Sequence, residues 1–282
     1  MKTRLTAFAI AASILLVPSF GQAVRTPPDP GKTSASGNMR TPPVPPAADL
    51  PDPAQIEELV LANHILASEG VVDAYGHVSV RSNKDPNHFL LARHLPSGVV
   101  TAADILEYDM DTKPVRDPGA TGYSERFIHG EIYKARPDVK AVVHLHSADI
   151  LPYTVTKVPL KPMIHMAGFL PQEMPMFEIR KAGGMTDMLI RSNELGKALA
   201  DTLGSKPAAL LRGHGAVVVA DSLHVLVGRA YYMSVNAKAE TQALALGGGK
   251  VTFLDPQEAE KAANQDGFER AWTYFKSKQE RK

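Results

Sequence analysis

Cysteine is absent from this 282-residue chain. That excludes thiolate nucleophiles, disulfide staples and cysteine-based zinc sites, and leaves His, Asp and Glu as the side chains able to hold a metal. An imbalance of charge is missing too: 31 Lys and Arg stand against 30 Asp and Glu, a net +1. No partner such as nucleic acid or an anionic membrane surface is therefore implied. Phosphate-binding signatures are lacking as well. No Gly-x-Gly-x-x-Gly and no nucleophile elbow occur, and Gly247-Gly248-Gly249-Lys250 follows a helical pattern rather than the strand a phosphate loop needs.

One apolar run is present, at the very start. Lys2 and Arg4 precede the nearly all-apolar stretch from Leu5 to Val17, and Gly21-Gln22-Ala23 supplies small residues for cleavage after Ala23. Residues 1–23 thus read as a signal peptide, too short to span a membrane stably. Export to a periplasm or the medium is expected, with an uncleaved anchor as the alternative and no membrane contact after cleavage. Residues 24–53, dense in Pro, read as a linker. Residues 54–282 are long enough for one domain with a substantial core.

Within that domain, side chains alternate faces along a strand, so the apolar run Lys140 to Ser147 projects His144 and His146 from the same side. Two imidazoles that close are half of a metal site, although a lone His-x-His is a weak signal. A second apolar run, Ala208 to Val219, is broken by Arg212-Gly213-His214-Gly215, where glycines permit a sharp turn, making His214 a third candidate ligand. Upstream, Ser124 reads as the N-cap of a helix to about Ala135, with Glu125 in its first turn. Three histidines and a glutamate suit a catalytic metal with an open position and a carboxylate to move protons.

The remaining pattern gives an opening amphipathic helix from Ile56 towards Gly70 and paired strands around Val78–Val80 and Phe89–Leu91. Strand-like stretches follow at 162–166 and 177–179, then a helix from Asn193 to Leu203 stopped by Gly204. A long helix capped by Ser222 reaches about Leu246, and an amphipathic segment occupies 256–278. His129, one turn beyond Glu125, suits a hydrogen-bonded or solvated role better than ligation. His64, His88 and His224 read as surface or capping residues, and Met163, Met166, Met174 and Met176 as packing.

Taken together, the Ser124-Glu125 helix start, the His144/His146 strand and the Arg212-Gly213-His214-Gly215 turn resemble the class II aldolase and adducin family, over roughly residues 54–246. The resemblance implies a single three-layer α/β/α domain with a central, mainly antiparallel sheet. It also implies a homotetramer and a divalent metal on His144, His146 and His214: zinc, with manganese or cobalt as alternatives. The family's sugar-phosphate aldolases hold phosphate with a Gly-Asn-x-Ser loop, a Thr- or Ser-Gly loop and a Ser-Ser pair. Here these read Gly76-His77-Val78-Ser79, Ser97-Gly98 and Tyr123-Ser124. Imidazole and phenol in those places shrink a phosphate nest and add aromatic surface.

With Arg93-His94-Leu95-Pro96 and His165-Met166, the pattern is most similar to the branch that decarboxylates hydroxy-carboxymuconic semialdehydes and dihydroxy aromatic acids. The expected activity is a metal-dependent carbon–carbon lyase acting on a small hydroxy-oxo acid through an enolate. The alternatives are a retro-aldol aldehyde-lyase on a sugar-like substrate and a non-catalytic adducin-like interaction protein. Glu125 and His165 are the candidate catalytic residues, the latter contributed across subunits in related aldolases. His77, Arg93, Ser97, Gly98 and Ser124 are the candidate substrate contacts.

Overall fold

Helix α1 (Pro53–Ser68) starts where the Asp52 carboxylate accepts from the Ala54 N–H and Pro53 sits at the first helical position, so the helix loses no N–H it could have used. The structure, a computed structural model, describes residues 50–263 and 267–281. The expected signal peptide lies outside the described residues, as does nearly all of the linker. Among the described residues, no helix is long and apolar enough to cross a membrane.

Seven strands form one sheet in the order β3-β2-β1-β4-β7-β6-β5. They are β1 (His77–Arg81), β2 (His88–Ala92), β3 (Ile105–Asp109), β4 (Ala141–Leu145), β5 (Met176–Phe177), β6 (Ala208–Leu211) and β7 (Gly215–Ala220). All neighbours are antiparallel except β5 and β6. The central strand, β4, is buried along its whole length. Its alternation divides the core: Val143 and Leu145 join one apolar cluster, and Val142 joins the other.

On the first face lie α1, α6 (Leu223–Leu246) and α8 (Glu269–Gln279), which contribute Leu59, Leu66, Leu226, Met233 and Phe275. The second is covered by α2 (Phe127–Ala135) and α5 (Asn193–Leu203), with Ile128, Ile132, Leu199 and Leu203 inward. Helices on both faces of the sheet make the expected three layers. Each fully buried Leu or Ile contributes about 1.5–3 kcal/mol relative to exposure. Local signals set several boundaries as expected: Gly204 ends α5 at φ 54° and Ser222 caps α6, while Ser192, not singled out in the sequence, caps α5.

Three expectations are corrected. Helix α2 begins at Phe127 with Arg126 at its N-cap position and no side-chain cap, so Ser124 is exposed and Glu125 lies in the preceding turn. Residues 162–166 form no strand, because the Met163 and Ile164 N–H groups donate to the Asn236 side chain of α6 at 2.9 and 3.1 Å, and a 3-10 turn follows at His165–Ala167. The strand expected at 177–179 ends at Phe177, and α4 (Ile179–Gly183) starts from a Glu178 cap. The C-terminal amphipathic segment divides into two helices, α7 (Pro256–Ala263) and α8.

Candidate metal centre

Because β1 and β4 pair with His77 opposite His144, and β4 pairs with β7 with His144 opposite Val217, the imidazole of His144 stands at the middle of the sheet. Two residues on, His146 leaves the same strand. His214 reaches the same point from the β6–β7 turn, where Gly213 adopts φ 62° and Gly215 packs so closely that a Cβ would lie 2.2 Å from the Leu145 carbonyl oxygen. The glycines flanking His214 are thus required by the turn on one side and by the close approach to β4 on the other.

These three side chains converge. Nε2 of His144 lies 2.9 Å from Nε2 of His146 and 3.3 Å from Nε2 of His214. The outer nitrogens fix what the inner ones present. His144 Nδ1 donates to the Ala216 carbonyl at 3.1 Å, and His146 Nδ1 donates to the Asp73 carboxylate at 3.0 Å. In the neutral imidazole each Nε2 is then a bare lone pair. Two lone pairs facing each other at 2.9 Å repel, and a cation between them turns that repulsion into ligation. Tetrahedral zinc with nitrogen ligands at roughly 2.0–2.1 Å places neighbouring nitrogens about 3.4 Å apart. The donor set therefore fits a divalent metal. Burial, opposed by the nearby Glu125 charge, brings the His144 imidazole down to about 3, so it is neutral near pH 7, as a ligand must be.

Glu125 completes the cluster. Its Oε2 lies 3.5 Å from His214 Nε2 and 3.7 Å from His144 Nε2, while its Oε1 accepts the Ile190 N–H at 2.8 Å. Burial acts to raise this carboxyl, but the imidazoles and the Ile190 N–H outweigh it and bring the pKa down to about 2. The side chain is an ionised base held at the edge of the cluster.

Of the remaining candidates, some lie close by and others do not. His77 is buried, its ring centroid 5.3 Å from that of His144 and 4.5 Å from that of Tyr123. The two residues that replace a phosphate-binding amide and hydroxyl thus pack on each other. The Ser97 hydroxyl donates to the Gly76 carbonyl at 2.8 Å and the Tyr123 hydroxyl donates to the Leu95 carbonyl, tying the 95–98 loop, with Gly98 exposed on it, behind His77. Arg93 is exposed and its Nε is engaged by Asp104 at 2.6 Å. His165, exposed, lines a recess with Met166, Tyr232 and Arg270 to which none of the three imidazoles contributes.

One residue escaped the sequence reading. Asp73 orients His146 and also accepts the Tyr75 and Gly76 N–H groups at 2.9 Å, so the Asp-x-x-Gly turn was its only local trace. His129 is buried between His77 and Ser79, hydrogen-bonded as expected and wholly unsolvated.

Residues 57–241 match the class II aldolase and adducin N-terminal domain. The chain belongs to that family. Among class II aldolase and adducin relatives, it is 38% identical over 211 residues to the decarboxylase tropJ of Talaromyces stipitatus, covering 70% of this chain and 79% of that one. It is 28% identical over 217 residues to the 3,4-dihydroxyphthalate decarboxylase of Arthrobacter keyseri, covering 72% and 84%. The fold matches a solved aldolase II superfamily protein from Pseudomonas syringae with a TM-score of 0.68 at 23% identity, over 86% of this chain and 95% of that one. Family and relatives together place the protein among lyases of the decarboxylase-like branch.

Proposed function

We propose that the protein is a divalent-metal-dependent carbon–carbon lyase that removes CO2 from a small hydroxy-oxo acid or dihydroxy aromatic acid. The observation that carries this reading is the cluster itself: three buried or half-buried imidazole nitrogens within 4.8 Å of one another, with an ionised carboxylate at 3.5 Å. A divalent cation, zinc in first place with manganese or cobalt as alternatives, would be held by His144, His146 and His214. Once bound it would supply Lewis acidity to two substrate oxygens and stabilise the negative charge left when CO2 departs.

The chain's own groups do the rest. Glu125 is placed to take a proton at Oε2 from the substrate hydroxyl and return it to the carbon that lost CO2, its other oxygen pinned by Ile190 so that the reactive one stays aimed. His77 and Tyr123, their rings tilted by 38°, add aromatic surface beside the cluster that suits a planar acid better than a phosphate. Arg93, Ser97, Gly98 and Ser124 are the further substrate contacts of this reading. We infer that His165 serves as a proton donor to a neighbouring copy in a homotetramer. The first 23 residues support export, with a mature N-terminus at Val24.

The test is elemental analysis of purified protein, followed by a screen of hydroxy-oxo and dihydroxy aromatic acids for CO2 release with and without a chelator. Chelator-sensitive CO2 release supports the reading. Aldehyde release instead would assign a retro-aldol lyase, and protein unable to take up any divalent metal would leave an adducin-like scaffold. The Glu125→Gln variant is expected to keep its metal and lose turnover at least 100-fold; undiminished turnover would remove Glu125 from the mechanism.

A further inference from the structure

Behind His77 runs a closed line of polar side chains. His77 Nδ1 lies 2.7 Å from His129 Nε2; His129 Nδ1 lies 2.6 Å from Ser79 Oγ; and Ser79 Oγ lies 2.8 Å from the Tyr133 hydroxyl. All four residues are buried between β1 and α2. Each of the three contacts has room for a single proton, and every hydroxyl and N–H of the line finds an acceptor only if the protons all point the same way along it. The end of the line decides which way.

Tyr133 keeps its proton, because burial pushes the phenol well above its ordinary range. Among the described residues, Ser79 Oγ is the only acceptor the phenol has. Tyr133 therefore donates to Ser79, Ser79 donates to His129 Nδ1, and His129 carries its hydrogen on Nε2 and donates it to His77 Nδ1. The reverse sense would leave the phenol proton buried without an acceptor, which native interiors avoid.

We propose that Tyr133, Ser79 and His129 are positioning residues that lock His77 as its Nε2–H tautomer. His77 then offers the site a hydrogen-bond donor rather than an acceptor. The consequence matters because His77 is the direct cross-strand neighbour of His144, and among the described residues no protein group engages its Nε2. A bare nitrogen there would repel the oxygens of a bound acid. An N–H there instead faces an oxygen of the bound acid, a target that rests on the reaction proposed above; the tautomer itself does not depend on that reaction.

The experiment is nitrogen NMR of protein carrying ¹⁵N-histidine, metal-free and zinc-loaded, with the His77 signals identified by their loss in His77→Gln. The expected result is a protonated Nε2 and a bare Nδ1 on His77 in both states. Ser79→Ala, which takes away the donor to His129, is expected to give a mixture of both tautomers on His77 with the fold retained by circular dichroism. A proton on His77 Nδ1 in the unsubstituted protein overturns the proposal, as does an unchanged single tautomer in Ser79→Ala. Should that variant fail to fold, the reading from the unsubstituted protein still decides. In turnover, His77→Gln, which keeps an N–H donor, should retain activity within about tenfold, while His77→Phe, which keeps only the flat ring, should lose kcat about 100-fold with little change in KM. Equal activity of the two variants would remove the donor role. A protein that takes up no zinc yet shows the expected tautomer would refute the metal reading and leave the lock standing.

Discussion

A histidine that is neutral inside the fold and free to titrate outside it makes stability depend on acid. Burial brings His129 from 6.5 down to about 3. Above pH 6.5 neither the folded nor the unfolded chain holds a proton on it, and the group is silent. Between 6.5 and 3 the unfolded chain binds a proton that the folded chain refuses, so stability falls as pH falls, by about 1.4 kcal/mol per pH unit well inside the window. Urea midpoints at pH 7.5, 6 and 5 should therefore drop more steeply for the natural protein than for His129→Gln. Parallel lines would show that His129 is protonated in the fold. At the same scale, His144→Ala or His214→Ala should reduce bound metal by at least tenfold in elemental analysis, since each removes one of only three imidazoles. Metal content unchanged in both would dissolve the candidate site.

Helices α2 and α5 hold the Glu125 turn against the sheet, and the crossing depends on Gly196. A Cβ there would sit 2.5 Å from the Phe127 carbonyl oxygen and 2.9 Å from Glu131 Cγ. Alanine would favour the helix by up to about 1 kcal/mol, whereas forcing the helices apart costs about 1–3 kcal/mol, and the obstacle is rigid backbone. Gly196→Ala is expected to lower stability by about 1–2 kcal/mol in urea titration and to slow turnover, because Phe127 follows Glu125 by two residues. A raised midpoint would mean that the two helices separate freely.

Elements of this kind were readable in the sequence where their signals are local. The Gly204 stop, the Ser222 cap and the alternation in β4 all act within a few residues, and each was read. Reading failed where a distant partner decides. Residues 162–166 have the alternation of a strand, but their N–H groups go to Asn236 on a helix far along the chain. Glu125 resembled a first-turn carboxylate, yet its oxygen is claimed by Ile190, 65 residues away. The line from His77 to Tyr133 left no trace, because it exists only once α2 packs on β1.

Considered whole, the molecule presents a half-buried cluster at the centre of its sheet and several exposed apolar side chains, among them Tyr75, Val99, Val155 and Tyr274. The homotetramer we propose would cover part of that surface and bring His165 to a neighbour's cluster. Light scattering on purified protein should return four times the mass of one mature chain; a monomer that is fully active would remove His165 from the reaction.

The three imidazoles come from β4 and from a turn some 70 residues later, so an unravelled chain has no grip on the ion. Under the metal reading proposed above, mass action would make a dissolved divalent ion such as zinc a dial on thermal endurance: at one hundred times the dissociation constant it should contribute about 2.7 kcal/mol. A chelator should lower the melting temperature by several degrees, and restoring zinc should raise it again. The same dependence would let the trace-metal supply around the protein set how long each copy survives.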